Sequence, residues 1–202
     1  MQTVPYSNSP FLAFGAAPAP AVSGYDRYMS VQQTALKFPA MLTAPGPATL
    51  AMWLRLPLIP NQAQDFLLDA RPAGSAFLFD TPDGINDVLP YADGAALSAL
   101  NSLYTDTWRK VVLESSQLLQ PTLLATNTGG LFLRGDIADV RFYRRAFTAA
   151  EKADAAGPFP ALGPTDSRWD FRNAATSVPD VSGNGKTLTY AGPGPAPTFT
   201  GV

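Results

Sequence analysis

The sequence predicts an all-β antiparallel sandwich of jelly-roll type carrying one short helix. Three observations predict it. Proline is abundant, 20 of 202 residues, and proline fits neither a helix interior nor a central strand. Short apolar runs alternate with Gly, Pro, Asn and Asp clusters at strand-like spacing. A helix-opening signal occurs at one point late in the chain.

The elements follow in order. Residues 1–24 read as an extended arm, because Ala16-Ala17-Pro18-Ala19-Pro20-Ala21 favours polyproline II over packing. A partner is expected to hold it. Residues 25–202 read as one sandwich domain. Arg27–Val31 alternates as a strand. Thr49–Leu56 is a stronger one, with Leu50, Met52, Leu54 and Leu56 on one face and Trp53 on the other. Asp65–Asp69 and Ala76–Asp80 follow, separated by the turn formers Arg71-Pro72-Ala73-Gly74, and Thr81-Pro82-Asp83-Gly84 turns again. Trp108–Glu114 is a strand, and Asn127-Thr128-Gly129-Gly130 turns the chain into Leu131–Leu133. Gly135–Tyr143 is expected to place Ala138, Val140 and Phe142 on one face and Asp139, Arg141 and Tyr143 on the other. Thr148-Ala149-Ala150-Glu151 is a capping box that opens a helix over 149–156, stopped by Gly157 and Pro158.

Composition excludes several functions. Charged residues make up 15% of the chain, against roughly 25% in ordinary soluble domains. A surface so poor in charge suits a covered protein. Net charge is −2 with no basic run, which argues against nucleic acid and against anionic membranes. Without cysteine or histidine there is no disulfide, no thiol chemistry and no Ser-His-Asp triad. The first residues, Met1–Tyr6, carry no charge, so no signal peptide is expected. No apolar run is long enough to span a membrane.

Two stretches carry a family resemblance. Gly135–Glu151 resembles the closing strand and helical turn of laminin-G-like, concanavalin A-like domains. Trp169-Asp170-Phe171, followed by Val178-Pro179-Asp180-Val181-Ser182-Gly183-Asn184-Gly185-Lys186-Thr187-Leu188, resembles that family's opening strand and its Gly-Asn-Gly turn. Weaker likeness extends to Thr49–Leu56 and Trp108–Leu113. The element that opens the family's domain stands here at the C-terminal end. Circular permutation is the favoured explanation, strand exchange with a neighbour the second, and a fragment of a second repeat the third.

The resemblance implies candidate sites. Calcium is held in this family by loop Asp and Asn side chains, which makes Asp180 and Asn184 the candidate metal ligands. The competing reading makes Asp180 the acceptor of an Asx turn. No other cofactor is expected. The family also contains glucanases, whose two carboxylates must approach closely. The chain holds just two glutamates, Glu114 and Glu151, and neither lies in the glucanase pattern. The pairs Asp136 with Asp139 and Asp65 with Asp69 read as turn chemistry. No catalytic residue is assigned and no enzyme is expected. Gly185-Lys186-Thr187 lacks the rest of a phosphate-binding loop and reads as a turn. Tyr91, Tyr104 and Tyr190 are candidate sugar-stacking or interface aromatics.

The resulting expectation is a non-enzymatic structural subunit of a large assembly. A bacteriophage virion decoration or tail-associated protein, assembled in the host cytoplasm, fits best. Its partners would be other virion proteins and further copies of itself, with neither nucleic acid nor membrane. The alternative is a carbohydrate-binding adhesion module, and a glycoside hydrolase comes last.

Overall fold

The structure is a computed structural model that describes residues 27–31, 35–39, 44, 46–58, 66–70, 75–78, 88–97, 100–116, 121, 123–124, 135–155, 157–171, 174, 176–191 and 198–201. The arm at 1–24, the turns at 71–74, 81–84 and 127–130 and the strand expected at 131–133 lie outside these residues, as does Asp65.

Two antiparallel sheets form a sandwich. The larger contains β1 (Arg27–Val31), β3 (Ala48–Arg55), β6 (Val88–Ala92), β7 (Ala95–Ala96), β8 (Trp108–Ser115), β10 (Gly135–Tyr143), β11 (Ser167–Trp169) and β14 (Thr198–Gly201). Its order is β14-β1-β10-β3-β8-β6-β7, and β11 joins β10 beyond the end of β1. The smaller contains β2 (Ala35–Lys37), β4 (Phe66–Ala70), β5 (Ser75–Leu78), β9 (Leu123–Leu124), β12 (Ser177–Val178) and β13 (Leu188–Ala191), in the order β12-β13-β2-β9-β4-β5.

The main core lies between the sheets. Leu50, Met52 and Leu54 of β3, Val111 and Leu113 of β8, and Ile137, Val140 and Phe142 of β10 meet Leu36, Leu67, Leu68, Leu124, Val178 and Leu188 from the smaller sheet. The alternation in Thr49–Leu56 predicts this: Leu50 lies opposite Leu113 and Met52 opposite Val111, while Trp53 lies opposite Lys110 on the outer face. Trp169 and Phe38 cross edge to face within this core, 5.4 Å between ring centres.

The outer face of the larger sheet has a second apolar layer. Ala51, Trp53, Val112, Ala138 and Tyr143 are buried there with Phe147 and Phe159. Phe147 and Phe159 belong to the segment 144–162, which runs over the sheet as a strap and includes helix α1 (Ala149–Ala153).

The strand β10 departs from simple alternation. Its pairing with β3 shifts between Ala138 and Arg141, and Asp139 takes φ 46°. This is a β-bulge, one extra residue in the strand. It moves Ala138 to the outer face beside Tyr143 and leaves Val140 and Phe142 facing the main core. The expected grouping of Ala138 with Val140 and Phe142 is therefore corrected by the bulge.

Helix α1 has the expected capping box: Thr148 Oγ1 accepts from Glu151 N, and Glu151 accepts from Thr148 N at 2.8 Å. It ends at Ala153, short of the expected 156. Asp154 leaves helical geometry (φ −75°, ψ 90°), and its carboxylate accepts from Gly157 N at 2.8 Å. That Asx bond competes with another helical turn.

The C-terminal segment pairs within its own chain. β11 adds to β10, β13 adds to β2 and β14 adds to β1. The first and last described strands are thus neighbours.

Candidate functional site

The richest polar constellation lies where the strap meets the outer face of the larger sheet. Lys110 stands at its centre. β8 points it outward next to Trp53, and the strap buries it to 3% exposure. Its ammonium donates to Asp154 O at 2.6 Å and Gly157 O at 3.1 Å, and lies 5.3 Å from the Phe159 ring centre. Burial lowers its pKa from the ordinary lysine value, a tendency that Asp154 opposes. Lys110 is a peg that satisfies two strap carbonyls at a reversal of the chain.

Other pegs repeat the pattern. Thr49 Oγ1 donates to Arg145 O at 2.8 Å. Tyr143 OH donates to Pro160 O at 2.9 Å, and burial pushes that phenol up to about 12. Glu114 accepts from Phe147 N and pairs with Lys152, each at 3.0 Å. Every peg ties a sheet side chain to the strap.

The bulge organises a charge network. Asp139, wholly buried, accepts from Arg141 at 2.7 Å and from Arg168 at 2.6 Å. Arg168 reaches Asp170 at 3.5 Å. Arg141 also lies 5.2 Å from the Phe159 ring centre. β11 brings Arg168 directly opposite Arg141, and Asp139 supplies the counter-charge that this juxtaposition requires.

The two glutamates accept from adjacent amides of the strap, Glu114 from Phe147 N and Glu151 from Thr148 N. Glu151 receives a two-pronged bond from Arg145, both contacts 2.7 Å. That pairing, with the Thr148 amide, holds its carboxyl down at about 2. Asp136 is paired with Arg55 at 2.5 Å, so the pair Asp136 and Asp139 is divided between different arginines. A proton donor for glycoside cleavage needs a raised pKa, the reverse of what Arg145 does to Glu151. The groove between α1 and the following stretch of the strap, lined by Glu151, Asp154, Pro158 and Pro160, is shallow.

The structure brings Asp180 and Asn184 into one turn between β12 and β13. Asp180 Oδ1 accepts from Ser182 N at 2.9 Å, Ser182 Oγ at 2.6 Å and Arg168 N at 3.3 Å, and Oδ2 accepts from Lys186 N at 3.2 Å. Asn184 Nδ2 donates to Asp166 O at 2.6 Å and to Ser182 Oγ at 3.2 Å. Gly183 and Gly185 take φ 89° and 67°. The Asp180 oxygens are occupied by protein donors, as in an Asx turn. Among the described residues no group of three or more acidic side chains converges on a common point.

The candidate aromatics are half-buried. Tyr91 packs against the outer layer with Lys152 over its ring at 5.1 Å, and Tyr104 and Tyr190 pack against the main core. Burial pushes the Tyr190 phenol up to about 12. Large apolar side chains exposed among the described residues are Leu58, Leu89 and Val181. No helix there is long and apolar enough to cross a membrane.

These features define an antiparallel β-sandwich whose outer face is sealed by a pinned strap. No family model, curated protein or solved structure matches the chain.

Sequence reasoning missed Lys110, the Asp139 bulge and the strap. An isolated lysine in a strand looks like any solvated lysine. The bulge has no composition signal, since aspartate is not the usual residue for a positive φ in a strand. The strap carried one readable sign, the aromatics Phe147 and Phe159 in a Pro-rich stretch beside the helix.

Proposed function

We propose that the chain is a non-enzymatic structural subunit of a large assembly, a bacteriophage virion decoration or tail-associated protein. The observation that carries this reading is how the chain spends its few charges. Among the described residues, six of the fourteen Lys and Arg side chains (Arg55, Arg109, Arg141, Arg145, Lys152 and Arg168) are tied to carboxylates of the same chain. Lys110 is buried on carbonyls. Half of the Lys and Arg side chains are thus engaged within the chain, and Leu58, Leu89 and Val181 stand exposed. A protein that works surrounded by other subunits tolerates such a surface.

Catalysis is not part of the proposal, because Glu114 fastens the strap to the sheet and Glu151 is held by Arg145 and Thr148 within it. Nor is a cofactor. The fold belongs, in this reading, to the concanavalin A-like (laminin-G-like) jelly rolls in permuted form. The adjacency of the first and last described strands suits permutation. The partners are other virion proteins and copies of the chain itself. Glycan binding is the weaker reading, since Tyr91, Tyr104 and Tyr190 are packed rather than presented as a platform.

Mass spectrometry of purified phage particles from the source of the chain tests the proposal. It expects the chain in stoichiometric amounts, and its absence from intact particles overturns it.

A further inference from the structure

We infer that Asn184-Gly185 is a self-modification site whose conversion releases a clamp between the two sheets. Asn184 is the one asparagine in the sequence followed by glycine. Glycine places no side chain in the way of attack by its own nitrogen on the preceding side-chain amide. Both residues are exposed. A Cβ at Gly185 would meet nothing within 4 Å, so the turn has open space around the reacting atoms. No hydrogen bond engages Gly185 N–H among the described residues.

The chemistry needs water alone. Gly185 N loses its proton to solvent and bonds to Asn184 Cγ. The Cγ–Nδ2 bond breaks, Nδ2 takes a proton and leaves as ammonia, and a five-membered succinimide closes. Water then opens either carbonyl of that ring. One opening gives aspartate and the other gives isoaspartate, in which the backbone runs through the former side chain. The sum is one water consumed and one ammonia released, with no change of oxidation state.

The site matters because of what Nδ2 holds. It is the donor to Asp166 O at 2.6 Å and to Ser182 Oγ at 3.2 Å. Asp166 in turn braces the strap: its carboxylate accepts from Arg144 N at 2.9 Å and Gly163 N at 2.7 Å. The turn between β12 and β13 of the smaller sheet is thereby joined to the segment that enters β11 of the larger one, adding to the bonds that Arg168 N and Val181 N make between the same turn and β11. The product carboxylate has no N–H to donate, and it faces a carbonyl oxygen close to Asp180. Isoaspartate also lengthens a backbone turn whose glycines are set at φ 89° and 67°.

The test is incubation of the full chain in warm, mildly alkaline buffer, followed by peptide mass mapping and enzymatic methylation of isoaspartate. The peptide containing Asn184 is expected to gain about one dalton and to accept methyl groups, faster than the peptide containing Asn101-Ser102. The melting temperature of the aged protein is expected to fall by about 2–4 °C, the shift that one ordinary hydrogen bond brings to a chain of this size. Asn184→Asp starts at the lowered value. Asn184→Gln shows neither the mass gain at that position nor a drift in melting temperature during incubation, whatever its starting stability. An unchanged Asn184 peptide, or conversion no faster than at Asn101, overturns the site. A melting temperature of Asn184→Asp equal to wild type overturns the clamp.

Discussion

Lys110 shows how a single side chain can fix a loop. Its ammonium satisfies the carbonyls of Asp154 and Gly157 from beneath the strap. Lys110→Met keeps the stem and removes the charged donor from both oxygens. The expected loss is about 1–3 kcal/mol in urea unfolding. Glu151 makes a separate prediction through pH. Arg145 lowers its carboxyl from 4.5 to about 2, so folding favours the charged form. The resulting stability is complete above about pH 4.5 and is lost as pH falls toward about 2. Unfolding midpoints measured across that interval are expected to drop in the wild type, and Glu151→Gln to flatten the drop. The capping box that positions Glu151 was plain in the sequence, because Thr and Glu three apart describe a local bond. The role of Lys110 was not, because it depends on carbonyls more than forty residues away.

At the scale of the element, β10 separates what a pattern can tell from what it cannot. The run Gly135–Tyr143 reads as a strand because apolar and polar residues alternate. Alternation alone assigns Ala138 to the wrong face, since one inserted residue inverts every assignment on one side of it. Asp139 makes that insertion tolerable by neutralising Arg141 and Arg168 where the strands bring them together. Asp139→Ala removes the counter-charge from two largely buried guanidinium groups and is expected to cost about 3–5 kcal/mol, measured by denaturant unfolding. The hairpin between β6 and β7 carries a local sequence signal. Asp93-Gly94 is a strong two-residue turn signal, and the two residues take φ 46° and 84°. A Cβ at Gly94 would lie 2.5 Å from Ala153 O, so the glycine also lets this turn dock on the end of α1. The resemblance at Asp180 and Asn184 located a real turn, and its hydrogen bonds account for both residues. Calcium or a chelator is expected to leave the melting temperature unchanged; a calcium-dependent rise would return Asp180 and Asn184 to the role of ligands.

The whole molecule depends on strands distant in sequence. β13 completes the smaller sheet beside β2, and β14 borders β1 in the larger. A chain ending before Ser167 would lose one partner each of β1, β2 and β10 at once. It is expected to give neither a cooperative unfolding transition nor a dispersed NMR spectrum as a monomer. The fold class was legible because proline content and strand spacing are global averages. The strap was not, because its place on the outer face follows from the packing of Phe147 and Phe159 against Trp53 and Tyr143. That second apolar layer has a dynamic consequence for β3. The strand is paired along both edges, with β8 and β10, and is covered on both faces, one by the main core and the other by the strap. No local fluctuation opens its amides to solvent without dismantling a layer. In deuterated water the protons of Leu50–Leu54 are therefore the last to exchange, and their protection reads out the free energy of unfolding the entire native state.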